Sequence, residues 1–291
     1  MSRYVLLDIG GTSIKTALFD KEMGEVKEYP TDAKKGADKL VQKVIEIIES
    51  YEGFEAIGIS TAGQVDFENG SIIYANENMP GYTGTKWREI LSSKFNVPVY
   101  VENDVNSAAM GEGYKGAAKD VKDYLCLTYG TGVGGAIVID HKVYHGAGGS
   151  AGEFGALLMN VSKHEKGNAF SGAYEKYGST TALVNKAKEY DESLINGRVI
   201  FEHLDDPVVK KIISDWCLDI ALGLTSLIHI FNPELVVLGG GIMEQKLVFD
   251  KVNELVFEEI MPSYKNVKLK QASLGNKAGL YGALAILENN L

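Results

Sequence analysis

The feature that most restricts how this chain can fold occurs twice: an apolar run closed by a glycine turn and resumed as a second apolar run. Residues 4–9 form the first run, Gly10 and Gly11 follow, and residues 14–19 take up the apolar character again. Residues 124–128, the glycine-rich 130–135 and residues 136–139 repeat the pattern. Aligned residue by residue, Leu7-Asp8-Ile9-Gly10-Gly11-Thr12 faces Leu127-Thr128-Tyr129-Gly130-Thr131-Gly132, and Asp20 faces Asp140. Each copy reads as two strands joined by a tight turn. Self-similarity at this distance suggests two related lobes, each opening on the same unit. A third glycine cluster, 239–241, ends another apolar run, 234–238.

Between these units the chain alternates strands and helices. Residues 25–31 are expected to add a third strand. Ala37, Leu40, Val41, Val44, Ile45 and Ile48 lie on one stripe of a helix. Residues 56–60 read as a buried strand followed by the turn-rich 61–66, residues 86–95 as a helix, and 97–101 as a strand leading into Glu102-Asn103-Asp104. Asp104 can cap the helix that follows. A long helix over 207–231 is stopped by Asn232 and Pro233. Helices over 245–260 and 277–288 flank a strand near Val267. This is the α/β class with mixed sheets, because hairpins open each lobe. The expected division is a small lobe of 1–115 completed by 277–291, and a large lobe of 116–276.

Charge and composition remove several function classes. There are 29 basic residues against 39 acidic, a formal charge of −10, which repels nucleic acid and anionic membrane alike. No signal peptide or span of about 18 uncharged apolar residues is apparent, so a cytoplasmic protein is expected. Cys126 and Cys217 stand in apolar segments and read as buried thiols in a reducing compartment.

The glycine turns are candidate anion sites, since backbone amides there can approach a phosphate with no side chain in the way. Gly10, Gly11, Thr12 and Lys15 form one set, Thr131 and Gly132 a second; Gly240 and Gly241 would let a flat group lie on backbone. Each turn alone is equally a hairpin turn needing positive φ. No P-loop pattern occurs, and the glycines of 130–135 precede a strand rather than a helix, which disfavours a dinucleotide fold. Asp8 is a candidate magnesium partner, or a brace for its own turn. Asp104, at a strand end, is the carboxylate placed to take a proton from a hydroxyl nucleophile, or a helix cap, or both. Asn103 can orient the same substrate.

Several segments together resemble the bacterial sugar kinases of the repressor–open reading frame–kinase (ROK) family. They are Asp8-Ile9-Gly10-Gly11-Thr12, Asn78-Met79-Pro80-Gly81-Tyr82, Glu102-Asn103-Asp104-Val105-Asn106, Leu127 to Gly135, Ala151-Gly152-Glu153-Phe154-Gly155 and Leu238-Gly239-Gly240-Gly241. The resemblance covers nearly the whole chain. It implies the two-lobed hexokinase/actin-like (ribonuclease H-like) fold closing over ATP, Mg²⁺ and a sugar, and commonly a homodimer. It makes Asp104 the catalytic base, and Gly63, Asn78, Asn103, Asp104, Glu153 and Glu175 sugar-binding residues. Gly10, Gly11, Thr12, Lys15, Thr131 and Gly132 would hold phosphates and Gly240 and Gly241 the adenosine, with Asp8 on the magnesium. Read without it, Glu153 and Glu175 are ordinary solvated or capping charges.

Two departures matter. Many family members carry a histidine after the G-E-[IF]-G segment and a cysteine cluster beyond, together holding a structural zinc. Here that position is Ala156, Ala173 stands where a cysteine would, and no cysteine lies between Cys126 and Cys217. No tetrahedral thiolate–imidazole set can be assembled, so a zinc-free branch is expected, with His164 a loop residue. Ala156 with Leu157-Leu158-Met159 implies a roomier, more apolar pocket edge, open to glucose or mannose, N-acetylmannosamine or a β-glucoside. The family's DNA-binding repressors add an N-terminal helix-turn-helix; with a first strand expected from Tyr4, none is expected here. A non-catalytic sugar sensor of the same fold is the alternative.

Overall fold

The computed structural model describes residues 3–291. In chain order its strands and helices are β1 (Arg3–Ile9), β2 (Ser13–Asp20), β3 (Glu22–Met23), β4 (Lys27–Pro30), α1 (Ala37–Glu49), β5 (Ala56–Thr61), β6 (Gln64–Asp66), β7 (Ser71–Tyr74), α2 (Trp87–Phe95), β8 (Val99–Asn103) and α3 (Asp104–Lys115). There follow β9 (Tyr124–Tyr129), β10 (Val133–Ile139), β11 (Lys142–Val143), α4 (Glu175–Gly178), α5 (Thr180–Tyr190), α6 (Gly197–Glu202) and α7 (Pro207–Phe231). The chain ends with β12 (Leu235–Gly239), α8 (Lys246–Glu259), β13 (Lys268–Gln271) and α9 (Ala278–Asn290).

Two compact units form. The first comprises the chain up to Asp120, His141–Ala151 and Leu274–Leu291; the second comprises Val121–Asp140 and Gly152–Ser273. In the first, the sheet order is β3-β2-β1-β5-β8, with β4 also on β2. β1 and β2 are an antiparallel hairpin, while β1, β5 and β8 run parallel. Every residue of β5 is buried, as expected of a parallel strand covered on both faces.

The alternation along β1 divides the core. Val5, Leu7 and Ile9 pack with Leu40, Val44 and Ile48 of α1 and Trp87 and Leu91 of α2. Tyr4 and Leu6 face the other way, onto Leu280, Ala283, Leu284 and Leu287 of α9. On that second face the backbones come very close. A Cβ at Gly58 would lie 2.7 Å from the Ala283 carbonyl, one at Gly282 would land on the Ser107 carbonyl of α3, and one at Gly111 on that of Ala278. Glycine at these points is what lets α9 lie against both β5 and α3.

The second unit repeats the plan, its sheet running β10-β9-β12-β13. β9 and β10 form the hairpin, and β9, β12 and β13 are parallel. The turns correspond as the sequence repeat requires: Ile9 pairs Ile14, and Tyr129 pairs Val133. α7 is the core helix, burying Ile213, Trp216, Ile220, Leu224 and Ile228 among others. Among the described residues it alone has the length and apolar composition of a membrane span, and over half of its apolar window is buried inside the protein. Both cysteines are buried and neither is in a disulfide.

Three details differ from the sequence-based expectation. Asn103, not Asp104, caps α3: its Oδ1 accepts from the amides of Val105 at 2.9 Å and Asn106 at 3.1 Å. Gly134 and Gly135 belong to β10 rather than to a loop, since Phe154 and the Gly152 carbonyl occupy the space a side chain of Gly135 would need. His141–Ala151, expected in the large lobe, belongs to the first unit, where His145 bonds Glu102 and Gly149 lies against the Val65 carbonyl.

Candidate active site

In the first unit the parallel strands end in register. Asp8 stands beside Ser60 and Ser60 beside Glu102; one step on, Ile9, Thr61 and Asn103 form the next row. The carboxyl ends of parallel strands are where α/β sheets take their ligands. The Ser60 hydroxyl donates to Asp8 Oδ1 at 2.7 Å. Gly279 of α9 sits over this carboxylate, and a Cβ there would come within 2.5 Å of the Asp8 carboxyl carbon. Burial raises the Asp8 carboxyl above its ordinary 3.8, against the Ser60 hydrogen bond and the charge of Lys15.

Asp104 opens α3. Its carboxyl is pushed up to about 6, first by burial and then by the charge of Asp8, against hydrogen bonds from Val105, its own amide and Asn103. Two carboxylates that each feel burial, one also feeling the other's charge, make a place suited to a proton or a cation. Asn103 spends its amide nitrogen on the Gly63 carbonyl at 2.9 Å and on Asp104 Oδ1 at 3.0 Å. Gly63 has φ 99°, and a Cβ there would meet the Tyr74 carbonyl at 2.9 Å. Behind this edge Tyr82, buried, shares a 2.6 Å hydrogen bond with Thr61 and accepts from Trp87 Nε1 at 2.8 Å. Asn78 is exposed on the turn before Tyr82, its amide bonded to Asn76; no bond ties it to Asn103 or Asp104.

The glycine turns are not held by positive φ at Gly10, Gly11, Gly130 or Gly132, whereas Gly240, φ 94°, requires it. The Gly10 amide donates to the Ser13 carbonyl and that of Gly130 to the Gly132 carbonyl. A Cβ at Gly11, Gly130 or Gly241 would meet nothing within 4 Å, so the turns stand open to an approaching group. Thr12 and Thr131 are exposed, and Lys15 Nζ reaches Asn276 Oδ1 at 3.5 Å.

In the second unit, Glu175 is brought against the 130–132 turn. Its Oε2 would lie 2.8 Å from a Cβ at Gly132 and 3.4 Å from one at Gly155. It is set there by Tyr174, whose ring fills the notch at Gly223 of α7 and whose hydroxyl pairs with that of Tyr129 and donates to the Ile220 carbonyl, each at 2.8 Å. Glu153 is exposed two residues into its segment, ahead of the buried Phe154 and Gly155. Ala156 is half-buried, and His164 sits in an exposed loop near Ser171. Among the described residues no group of three or more His, Cys, Asp and Glu gathers as a metal site.

Sequence reasoning passed over Ser60, Glu102, His145 and Phe67. Ser60 and Glu102 were within reach, because the strand register that aligns them with Asp8 follows from the parallel order. His145 had no local signal; only tertiary folding sets it 2.6 Å from Glu102.

A hairpin and two parallel strands, used twice, with carboxylates at strand ends and open glycine turns, define the hexokinase/actin-like α/β class. Residues 4–290 match the model of the ROK family, and the chain belongs to that family. It is 38% identical over 302 residues to an uncharacterized protein of Clostridium perfringens, covering 100% of this chain and 99% of the other. A beta-glucoside kinase of Klebsiella pneumoniae is 29% identical, with 95% and 93% covered. Among solved structures, the ROK hexokinase from Thermus thermophilus superposes with a TM-score of 0.87 at 31% identity, covering 99% of both chains. A ROK family glucokinase from Streptomyces griseus, in complex with glucose and AMPPNP, gives 0.80 at 28%, covering 98% of this chain and 99% of that one.

Proposed function

We propose that this protein is an ATP-dependent sugar kinase that phosphorylates a primary hydroxyl, at carbon 6 of a hexose or hexose derivative, with Asp104 as general base. The observation that carries the reading is Asp104 itself: a carboxylate at a strand-end row, held by Asn103 and raised to about 6 by burial and by Asp8. A base with that pKa is ionised at neutral pH yet basic enough to accept a proton as the transfer proceeds. The sugar oxygen forms a bond to the γ-phosphorus, the bond to the leaving ADP breaks, and the hydroxyl proton passes to Asp104. Asn103, Gly63, Asn78, Glu153 and Glu175 bind the sugar in this reading.

The residues fit the phosphate group and its metal. Open space over Gly11, Gly130 and Gly241 supports amide contacts to ATP, with Gly10, Thr12, Lys15, Thr131, Gly132 and Gly240 in the same loops. Asp8, unsettled by burial, is the residue that would hold Mg²⁺, which supplies charge neutralisation to the phosphates. The relatives' names, glucokinase and beta-glucoside kinase, support glucose or a β-glucoside as substrate, with mannose and N-acetylmannosamine the other candidates. The absence of the zinc-binding histidine and cysteines supports a zinc-free site. A cytoplasmic homodimer completes the reading; Leu218, Leu222 and Ile230, exposed at spacings of four and eight residues along α7, support a second copy as its partner.

The test is ADP release with Mg-ATP across glucose, mannose, fructose, N-acetylmannosamine, N-acetylglucosamine and cellobiose. Turnover with one sugar is expected, and Asp104→Asn should cut kcat by about 10²–10⁴-fold while leaving sugar and ATP binding in place. Near-wild-type turnover of that variant refutes the base assignment.

A further inference from the structure

Glu102 is buried, 1% exposed, and is a residue the proposed reaction does not use. A buried carboxylate is tolerated only when its oxygens are satisfied. Oε1 accepts from the Asn103 amide at 2.8 Å and from Asn106 Nδ2 at 2.9 Å. Oε2 takes a 2.6 Å hydrogen bond from His145 Nε2. His145 is itself stacked on Phe67, ring centroids 4.9 Å apart and 22° from parallel. The Glu102 carboxylate therefore grips Asn103 and Asn106, on either side of Asp104, with one oxygen, and is anchored by the other to a histidine from a remote segment.

We propose that His145 is a positioning residue for the base: by anchoring Glu102 it fixes the first turn of α3, and with it the orientation of Asn103 and Asp104. The inference rests on the kinase reading. Removing the imidazole leaves Oε2 a buried acceptor without its partner. The carboxylate then gains by turning toward water, which pulls Oε1 off the Asn103 amide. Asn103 holds Gly63, Asp104 and both capped amides through one side chain, so its displacement reaches Gly63 and Asp104 together. The imidazole is favoured in its charged form by Glu102 and by the nearby charge of Glu68, against partial burial, which strengthens the bond to the carboxylate.

The experiment compares sugar-dependent ADP release for wild type, H145A, H145N, H145Q, E102Q and H145A/E102Q, with circular dichroism confirming the fold. Glutamine places its amide nitrogen near Nε2, whereas asparagine reaches only the Nδ1 position. H145A and H145N should lower kcat by about 10–100-fold with KM for ATP within about 2-fold, as sub-ångström misplacement of a base does. H145Q should recover to within about 5-fold of wild type, and H145A should cost less than about 3-fold in the E102Q background, because the two residues act as one unit. If H145A does not fold, the contrast between H145Q and H145N decides. Equal activity of those two, or multiplicative losses in the double variant, overturns the proposal. A wild type with no sugar-dependent turnover sinks the kinase reading instead. The anchor is then judged by hydrogen exchange of the Asn103 amide, which H145N must accelerate and H145Q must not.

Discussion

Asp104→Asn should make the folded protein more stable at the pH where it removes the activity. The Asp104 carboxyl titrates at about 6 in the folded chain against 3.8 ordinarily, a difference of about 2 units at 1.36 kcal/mol each, or about 3 kcal/mol. Because the folded value is the higher one, folding favours the protonated form. The stability this carboxyl permits is complete below about 3.8, declines as pH rises through about 6, and is flat above that. Asparagine keeps the shape and keeps an oxygen to accept from Asn103 and Val105, which Asp104 does at 3.0 and 2.9 Å, but carries no charge. At pH 8 the variant should therefore gain up to about 3 kcal/mol in urea unfolding, or about 5–10 °C in Tm. At pH 4.5 the gain should fall to about 1 kcal/mol, as wild-type Asp104 becomes protonated in the folded state. Asp8 relief works in the same direction. A variant destabilised at pH 8, or stabilised equally at both pH values, would falsify the idea that burial and Asp8 strain this carboxylate.

The same carboxyl sets the pH profile: kcat should fall on an acid limb near pH 6, about tenfold per unit below it, in steady-state assays of the wild type at saturating sugar. Gly132→Ala puts a methyl 2.8 Å from Glu175 Oε2; the carboxylate must swing aside, and KM for the sugar should rise about tenfold with kcat less affected. Gly282→Ala drives a methyl onto the Ser107 carbonyl of α3, where backbone must yield. It should cost about 3 kcal/mol, read as a drop of about 5–10 °C in Tm, and a wild-type Tm would show that the two helices separate freely.

Much of the fold was legible because it follows from periodicity. The paired glycine hairpins, the α1 stripe and the strand ending at Asn103 are all set by which residues are apolar and where glycine interrupts them. The capping residue was misplaced because Asn103 and Asp104 are adjacent and both favour a helix N-terminus; backbone direction at the strand end, not residue type, gives the role to Asn103. The site was half legible. Asp8, Asn103 and Asp104 lie in motifs at strand ends, but Glu175 carries no local sign of its role. Its place depends on Tyr174 being seated in α7, a contact 46 residues long in sequence. His145 is similar: its partner is 43 residues away, and nothing in Tyr144-His145-Gly146 marks it.

The raised carboxyls of Asp8 and Asp104 and the close glycine packing of α9 are one phenomenon. Gly279 allows the helix to cover Asp8, and Gly111 and Gly282 allow it to lie along α3, at whose N-terminus Asp104 stands. Larger residues would hold the helices apart and let water reach both carboxylates, lowering their pKa toward the ordinary value. The fold therefore spends backbone closeness on basicity. The prediction that follows links a position remote from the chemistry to the base: Gly279→Ala, with its Cβ 2.5 Å from the Asp8 carboxyl carbon, must push the helix back or turn the carboxylate. Either response admits water, so the acid limb of kcat should move below pH 6. An acid limb unchanged in a folded Gly279→Ala variant would mean that basicity at Asp104 has a source other than this packing.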